Sequence, residues 1–351
     1  MNHATFAVFT ETVSFRRFFN YCLVLYKLLK ERSDPILKKG YLYIAITTIL
    51  FSTMEIVLKL LGNINPIQMT FTRFIVGGLV LLPFALKHLK LRGLRFTASD
   101  MRMFAISGFI GITLSMSLYQ TALIYTDASV VAILFSSNPV FVLLFAHLLL
   151  RDPIYKRNIL ALALDIVGIL FIINIINMRL DPRGVTLSIL SALLFALYGV
   201  LGKKPSVKFG GLAASCMGFL FGGTEMVILS LFSHIPALAS FLNKVGLGKF
   251  ANIPFFQGYS LSILPYLIYI CIGVTGIGYA CYFMAMESVP VSMVSLVFFF
   301  KPILAPILAL FILGDPMPVS KVIGIIFILI GSMCNILPQI LKDRRSAQTT
   351  G

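Results

Sequence analysis

The chain has 351 residues, 58% of them hydrophobic and 12% charged, with a formal net charge of +16. A soluble core of this size cannot hide so much apolar surface, so the composition excludes a soluble globular protein and indicates a polytopic membrane protein. The basic residues fall mostly in short segments between apolar runs, a positive-inside pattern, so the charge reads as membrane orientation and not as a nucleic-acid footprint.

Residues 1–39 precede the first span. Val13, Phe15, Phe18, Phe19, Cys22, Leu25, Tyr26 and Leu29 recur at helical spacing, while Arg16, Arg17, Lys27 and Lys30 break any continuous apolar run. This predicts a basic amphipathic helix on the inner surface of the lipid bilayer. From Gly40 onward, ten apolar segments are each long enough to cross roughly 30 Å of hydrocarbon. Their limits are 40–61, 66–87, 102–125, 128–150, 158–177, 184–202, 212–233, 261–286, 291–313 and 320–339. The expected fold is an all-α polytopic membrane protein of ten transmembrane helices, with five-helix units at 40–177 and 184–339 and a tail at 340–351.

Lys and Arg between the spans set the orientation. With the N-terminus inside, the cytoplasmic segments hold 21 of these residues, and the outer segments hold five: Arg179, Arg183, Lys244, Lys249 and Lys321. Both termini are therefore expected in the cytoplasm of a plasma-membrane (inner-membrane) protein.

The stretch from Tyr119 to Gly168 occurs twice. Shifted by 163 residues without a gap it falls on Tyr282 to Gly331, with eleven identities that include Ala122/Ala285, Phe135/Phe298, Pro139/Pro302 and Asp152/Asp315. Five spans per unit is an odd number, so the second unit enters the membrane inverted relative to the first. Such repeats belong with alternating-access transporters whose substrate site lies between the halves near the midplane.

Each unit carries an aromatic-rich helix (Tyr119-Gln-Thr-Ala-Leu; Tyr282-Phe-Met-Ala-Met). A polar residue and proline follow in the next helix (Asn138-Pro139; Lys301-Pro302), and an apolar run closes on Asp-Pro (Asp152-Pro153; Asp315-Pro316). With Phe51-Ser52, Lys59 and Thr72-Arg73-Phe74 in the opening helices, the stretch 40–339 resembles EamA-type members of the drug/metabolite transporter superfamily. The resemblance implies two tandem five-helix units and a transport function. Such families commonly carry Glu before the ninth-helix proline and at the closing cap. This chain has Lys301, Asp152 and Asp315 there.

An ionised side chain at the centre of a membrane helix is unfavourable by about 2.5–3.5 kcal/mol on insertion scales, so each one calls for a partner or a function. Glu55 and Lys59, four residues apart on one helical face, are expected to neutralise each other or to act as a coupled gate. Arg73 has no sequence-local partner, and Glu55 is within its reach in three dimensions. Lys301 precedes Pro302, which removes the donor for the Phe298 carbonyl, and Pro306 repeats the effect one turn on. The lysine reads as an anion-binding point, with Asn138 beside Pro139 as its counterpart in the other unit, or as the partner of Glu225 or Glu287. Tyr119, Gln120, Tyr198, Tyr279 and Tyr282 are expected to line the cavity, and Pro139, Pro302 and Pro306 to interrupt their helices. Asp152 and Asp315 read as caps of the helices that follow them.

The five cysteines stand singly, without CxxC or Cys/His spacing, and the four histidines are scattered. The sequence thus implies no cofactor, no metal and no enzyme. GxxxxGK[ST] is absent, so ATP is not the direct energy source. The expected function is a secondary-active exporter or permease for a small polar metabolite, an amino acid or organic anion, with proton coupling left open by the carboxylates. A membrane enzyme and a channel are the alternatives.

Overall fold

A computed structural model describes residues 35–62, 64–150, 156–173, 181–244, 248–289, 291–294, 296–331 and 333–334. The amphipathic segment expected before the first span lies almost wholly outside the described residues, as do Asp152-Pro153 and the tail. Among the described residues the chain is helical and contains no strand.

The principal helices are α1 (Pro35–Leu60), α2 (Pro66–Leu91), α3 (Ala98–Tyr125), α4 (Ala128–Leu149), α5 (Lys156–Ile173), α6 (Pro182–Phe209) and α7 (Gly211–Phe232). They continue with α8 (Pro236–Lys244), α9 (Leu261–Ser288), α10 (Val291–Val294), α11 (Leu296–Leu313) and α12 (Val319–Gly331). Among the described residues seven of these are long and apolar enough to cross a membrane, namely α1–α4, α6, α7 and α9. Leu304–Leu313 and Val319–Gly331 are shorter apolar helices.

Local chemistry sets the helix ends. Asn65 caps α2, accepting from the backbone N–H groups of Ile67 (2.9 Å) and Gln68 (3.3 Å), with Pro66 at the first position where no donor is needed. Thr97 and Asp100 form a reciprocal capping box at the start of α3. Within the helices, hydroxyls find acceptors on their own backbone, as Thr48 does on Ile44 and Ser52 on Thr48, both at 2.7 Å. At these two positions no hydroxyl donor is left open to oppose burial in an apolar medium.

Two features of the duplication reappear in the backbone. α3 and α9 each contain a π-helical stretch, Phe109–Met116 and Tyr269–Gly278, just ahead of the segments that begin at Ser117 and Tyr279. Their C-caps, Thr126 and Val289, are 163 residues apart. Both are extended, with the cap N–H bonded to Ala122 and to Ala285.

α6, about 42 Å long at 1.5 Å per residue, runs past both caps. Near its start Gly184 packs on Thr126 and Tyr125, and Arg183 lies 4.5 Å over the Tyr125 ring. Some 28 Å further along the axis, Lys203 donates to the carbonyls of Met286 (2.6 Å) and Val289 (3.3 Å).

The end of the bundle that carries Thr126 also carries Lys321. That lysine is 3% exposed and donates to Ser129 Oγ (2.9 Å) and the Pro316 carbonyl (2.7 Å), with Asp127 at 3.9 Å. Asp315, expected to cap the helix after it, instead accepts from the backbone N–H of Ser129 at the start of α4 (3.1 Å). The open donors at the start of α4 face the loop 314–318, so a carboxylate there satisfies them across the bundle. The other end is tied by Lys208–Asp100 (2.7 Å) and by Glu287, which accepts from the backbone N–H of Gly211 (2.5 Å).

Glycine permits a close helix approach between α3 and α7. A Cβ at Gly108 would stand 2.8 Å from the Gly222 nitrogen and 2.9 Å from the Gly218 oxygen. The core is an aromatic centre to which most of the long helices contribute, including Phe51, Phe74, Phe135, Phe195, Phe219 and Phe298.

Candidate functional site

In the middle of that aromatic centre lies an ion pair between α1 and α11. Lys301 Nζ is 2.5 Å from Glu55 Oε1, and the two side chains are 0% and 1% exposed. Tyr119, from α3, donates its hydroxyl to the same carboxylate oxygen and lies 3.4 Å from the lysine nitrogen. The ammonium also stands 4.9 Å from the centre of the Phe135 ring and 5.4 Å from that of Tyr119. Ring faces carry negative charge density, so they add to the stabilisation of the cation.

This pairing corrects two expectations. The partner of Lys301 is neither Glu225 nor Glu287. Glu225 accepts from the Thr113 hydroxyl (3.3 Å), and Glu287 is engaged at the α7 start, with Arg92 at 3.8 Å. Nor does Glu55 pair with Lys59. Helical spacing puts both on one face of α1, but a buried carboxylate gains more from a buried ammonium than from a partly solvated one. Lys59 instead lines a cavity one turn away.

Arg73, on α2, is wholly buried. Its Nη1 contacts Met54 Sδ (3.3 Å) and its guanidinium lies 4.6 Å over the Phe74 ring, while Nε and Nη2 have no hydrogen-bond partner. With Glu55 and Lys301 cancelling, the guanidinium leaves the centre with one positive charge in excess among the described residues. Thr275 Oγ1 and Glu55 Oε2 are also buried without a partner.

The remaining expected residues divide between this centre and its surroundings. Tyr279 donates to Met116 Sδ (3.1 Å) and packs on Phe51, Phe74 and Phe219. Tyr282 packs on Phe195 and Phe298. Tyr198 is held by Phe195 and Phe283 beneath Gly111, its hydroxyl unpartnered. Asn138 donates to the Ala192 carbonyl on α6 (2.9 Å), and its Oδ1 is unpartnered.

The helical path of α4 is interrupted at Ser136–Ser137, just ahead of Asn138-Pro139. The helix α11, by contrast, runs unbroken through Pro302 and Pro306. Each proline removes only one ladder bond, and surrounding helices can hold the rest in line.

Gln120 and Lys59 line a cavity of about 620 Å³ between the ends of α1, α2 and α3 and the loop 254–258. Leu58 and Gln120 form part of its wall, and each lies within one helical turn of the ion-pair cluster, at Glu55 and at Tyr119.

Phe135 and Phe298, which are not among the expected site residues, pack ring to ring at 5.9 Å, and Phe135 supports the lysine. The signal was present, since the two are identities of the repeat. Lys321, one of the five outer charges, falls inside an apolar run.

The EamA-like transporter family matches residues 38–174 and again 182–337. This chain belongs to the EamA-like transporter family.

Among relatives of this EamA-like transporter, an uncharacterized transporter of Clostridium kluyveri is 34% identical over 308 residues, covering 85% of this chain and 93% of its own length. The uncharacterized transporter YyaM of Bacillus subtilis is 26% identical over 242 residues, covering 66% and 73%. Protein PecM of Dickeya dadantii is 25% identical over 206 residues, covering 57% and 61%. A crystal structure of a protein 16% identical in sequence superposes with a TM-score of 0.62, covering 86% of this chain and 98% of the other, and so shares the fold. In the EamA-like transporter, Glu55, Arg73 and Tyr119 fall in the first matched segment and Tyr279, Tyr282 and Lys301 in the second. The ion pair therefore joins the two.

Proposed function

We propose that the protein is a secondary-active transporter that carries a small metabolite with one anionic group, a carboxylate-bearing amino acid or organic anion. It does so by alternating access between two inverted five-helix halves. The observation that carries the reading is Arg73: a fully buried guanidinium with two unpartnered nitrogens, beside a carboxylate already matched to Lys301. An arginine fork with two open donors fits a carboxylate, and an anion there removes the excess positive charge.

The inverted arrangement is supported by α6. The repeat-mates Thr126 and Val289 end equivalent helices in the same conformation, yet contact opposite ends of that one helix. In this reading the Val289 end lies in the cytoplasm with both termini, which the excess of Lys and Arg in those segments supports. The pair Glu55–Lys301 holds the two halves together at the midplane. A proton taken up by Glu55 would release Lys301, which is where a proton gradient can enter the cycle.

The test is uptake into proteoliposomes of metabolites sorted by charge, with and without a pH gradient. Anionic solutes are expected to be carried saturably. Arg73→Ala is expected to lower their affinity by about two orders of magnitude, the worth of two charge-assisted hydrogen bonds. Equal flux of cationic and neutral solutes, or full anion uptake by a folded Arg73→Ala variant, overturns the anion reading. Conductance far above turnover rates would make the protein a channel.

A further inference from the structure

The nine-residue helix α8 (Pro236–Lys244) stands apart from the central charges, and its two sides differ in chemistry. At about 100° per residue, Ala239, Leu242, Leu238 and Phe241 fill one arc of roughly 160°, with Ser240, Asn243 and Lys244 on the other side. The protein covers only part of the apolar arc. Ala239 is buried and Leu242 half-buried, whereas Leu238 is 37% and Phe241 58% exposed, as is Ile235 (47%) just ahead of the helix.

The turn that enters α8 fixes this orientation. Ser233 accepts from the backbone N–H of Asn252 at its carbonyl and from that of Ile253 at its Oγ, both at 3.0 Å. The His234 ring stacks on Phe255 with centroids 5.7 Å apart. Rolling the helix to bury Leu238 and Phe241 would break these contacts.

Position says what the uncovered face meets. α7 is long and apolar enough to cross a membrane, and its last turns expose Ile228, Leu229, Leu231 and Phe232. α8 begins four residues beyond Phe232, so its uncovered apolar side continues the lipid-facing surface at the level where α7 leaves the hydrocarbon. Lys244 is exposed on the polar side, where a long side chain reaches headgroup phosphates.

We infer that α8 is an interfacial anchor whose partner is a phospholipid surface. The helix lies in the plane of the bilayer surface, with Leu238 and Phe241 about 5–10 Å into the boundary between headgroups and acyl chains and Lys244 among the phosphates.

The chain contains no tryptophan, so one introduced indole reports a single place. Phe241→Trp, Leu238→Trp and Ser240→Trp are compared in the full chain, reconstituted as one copy per phosphatidylcholine nanodisc. The quenchers are lipids brominated near the headgroup, lipids brominated at the chain ends, and iodide in the water. Phe241→Trp and Leu238→Trp are expected to emit further to the blue than Ser240→Trp and to be quenched several-fold more by the bromines near the headgroup than by either other quencher. For Ser240→Trp iodide should be the strongest. Either apolar-face reporter alone decides the outcome, so one that fails to fold leaves the test intact.

The anchor is overturned if iodide quenches all three reporters alike, because the face then lies in water. It is equally overturned if neither bromolipid nor iodide reaches the apolar-face reporters, because the protein itself then covers them. If discs holding two copies lose the bromolipid quenching that single copies show, a second copy of the chain is the partner and the lipid assignment fails.

Discussion

Replacing Glu55 by Gln should destabilise the protein more than any other single change at the buried centre. Among the described residues the charges there are one negative, Glu55, and two positive, Lys301 and Arg73, all at most 1% exposed. Glu55→Gln leaves two buried cations without a counter-charge. Removing one partner of a buried pair is destabilising by about 3–5 kcal/mol, and the neighbouring guanidinium puts this case at the upper end. Lys301→Met leaves Glu55 facing Arg73, a formally neutral set, so its effect should be smaller. The double variant leaves Arg73 alone and should recover much of the loss, while Arg73→Met should be close to neutral.

The assay is thermal unfolding in detergent, followed by a thiol-reactive dye. Cys216, Cys271 and Cys281 are free and buried, so they report loss of packing. At about 2 °C per kcal/mol for a long chain, Glu55→Gln should lower Tm by roughly 6–10 °C. The charge accounting is refuted if Lys301→Met lowers Tm as much as Glu55→Gln, or if the double variant is no better than Glu55→Gln alone.

Two further outcomes follow from packing away from the centre. Gly222→Ala places a Cβ 2.5 Å from Ile112 Cβ and 2.7 Å from the Gly108 carbonyl oxygen. It should push α3 and α7 apart at a loss of about 1–3 kcal/mol, seen as a lower Tm in the same assay. Lys321→Met removes the donor shared by Ser129 and the Pro316 carbonyl beside Asp127. It should destabilise by about 1–3 kcal/mol, with Lys321→Arg losing less, as measured by thermal unfolding.

Much of the architecture is legible in the residues because it depends on local quantities. Apolar runs long enough for a bilayer mark the helices, since each must satisfy its own backbone in lipid. The 163-residue repeat foreshadows the matching π-helical stretches and the matching caps at Thr126 and Val289. Asn65-Pro66 and Thr97…Asp100 announce the starts of α2 and α3 by hydrogen bonds that span only a few residues. Membership of the EamA-like transporters was likewise visible in Asn138-Pro139, Lys301-Pro302 and the Asp-Pro closures.

The partners of the buried charges were decided only by the tertiary structure. Helical spacing put Glu55 and Lys59 on one face, but Glu55 met Lys301, Lys59 turned to a cavity, and Arg73 was left with open donors. Its place beside Pro302 leaves Lys301 either as an anion-binding point or as the partner of a carboxylate, and the structure pairs it with Glu55. The reason is physical. Periodicity tells which face of a helix a residue occupies, whereas the worth of a charge pair depends on separation and local dielectric, and these exist only once helices distant in sequence have packed together.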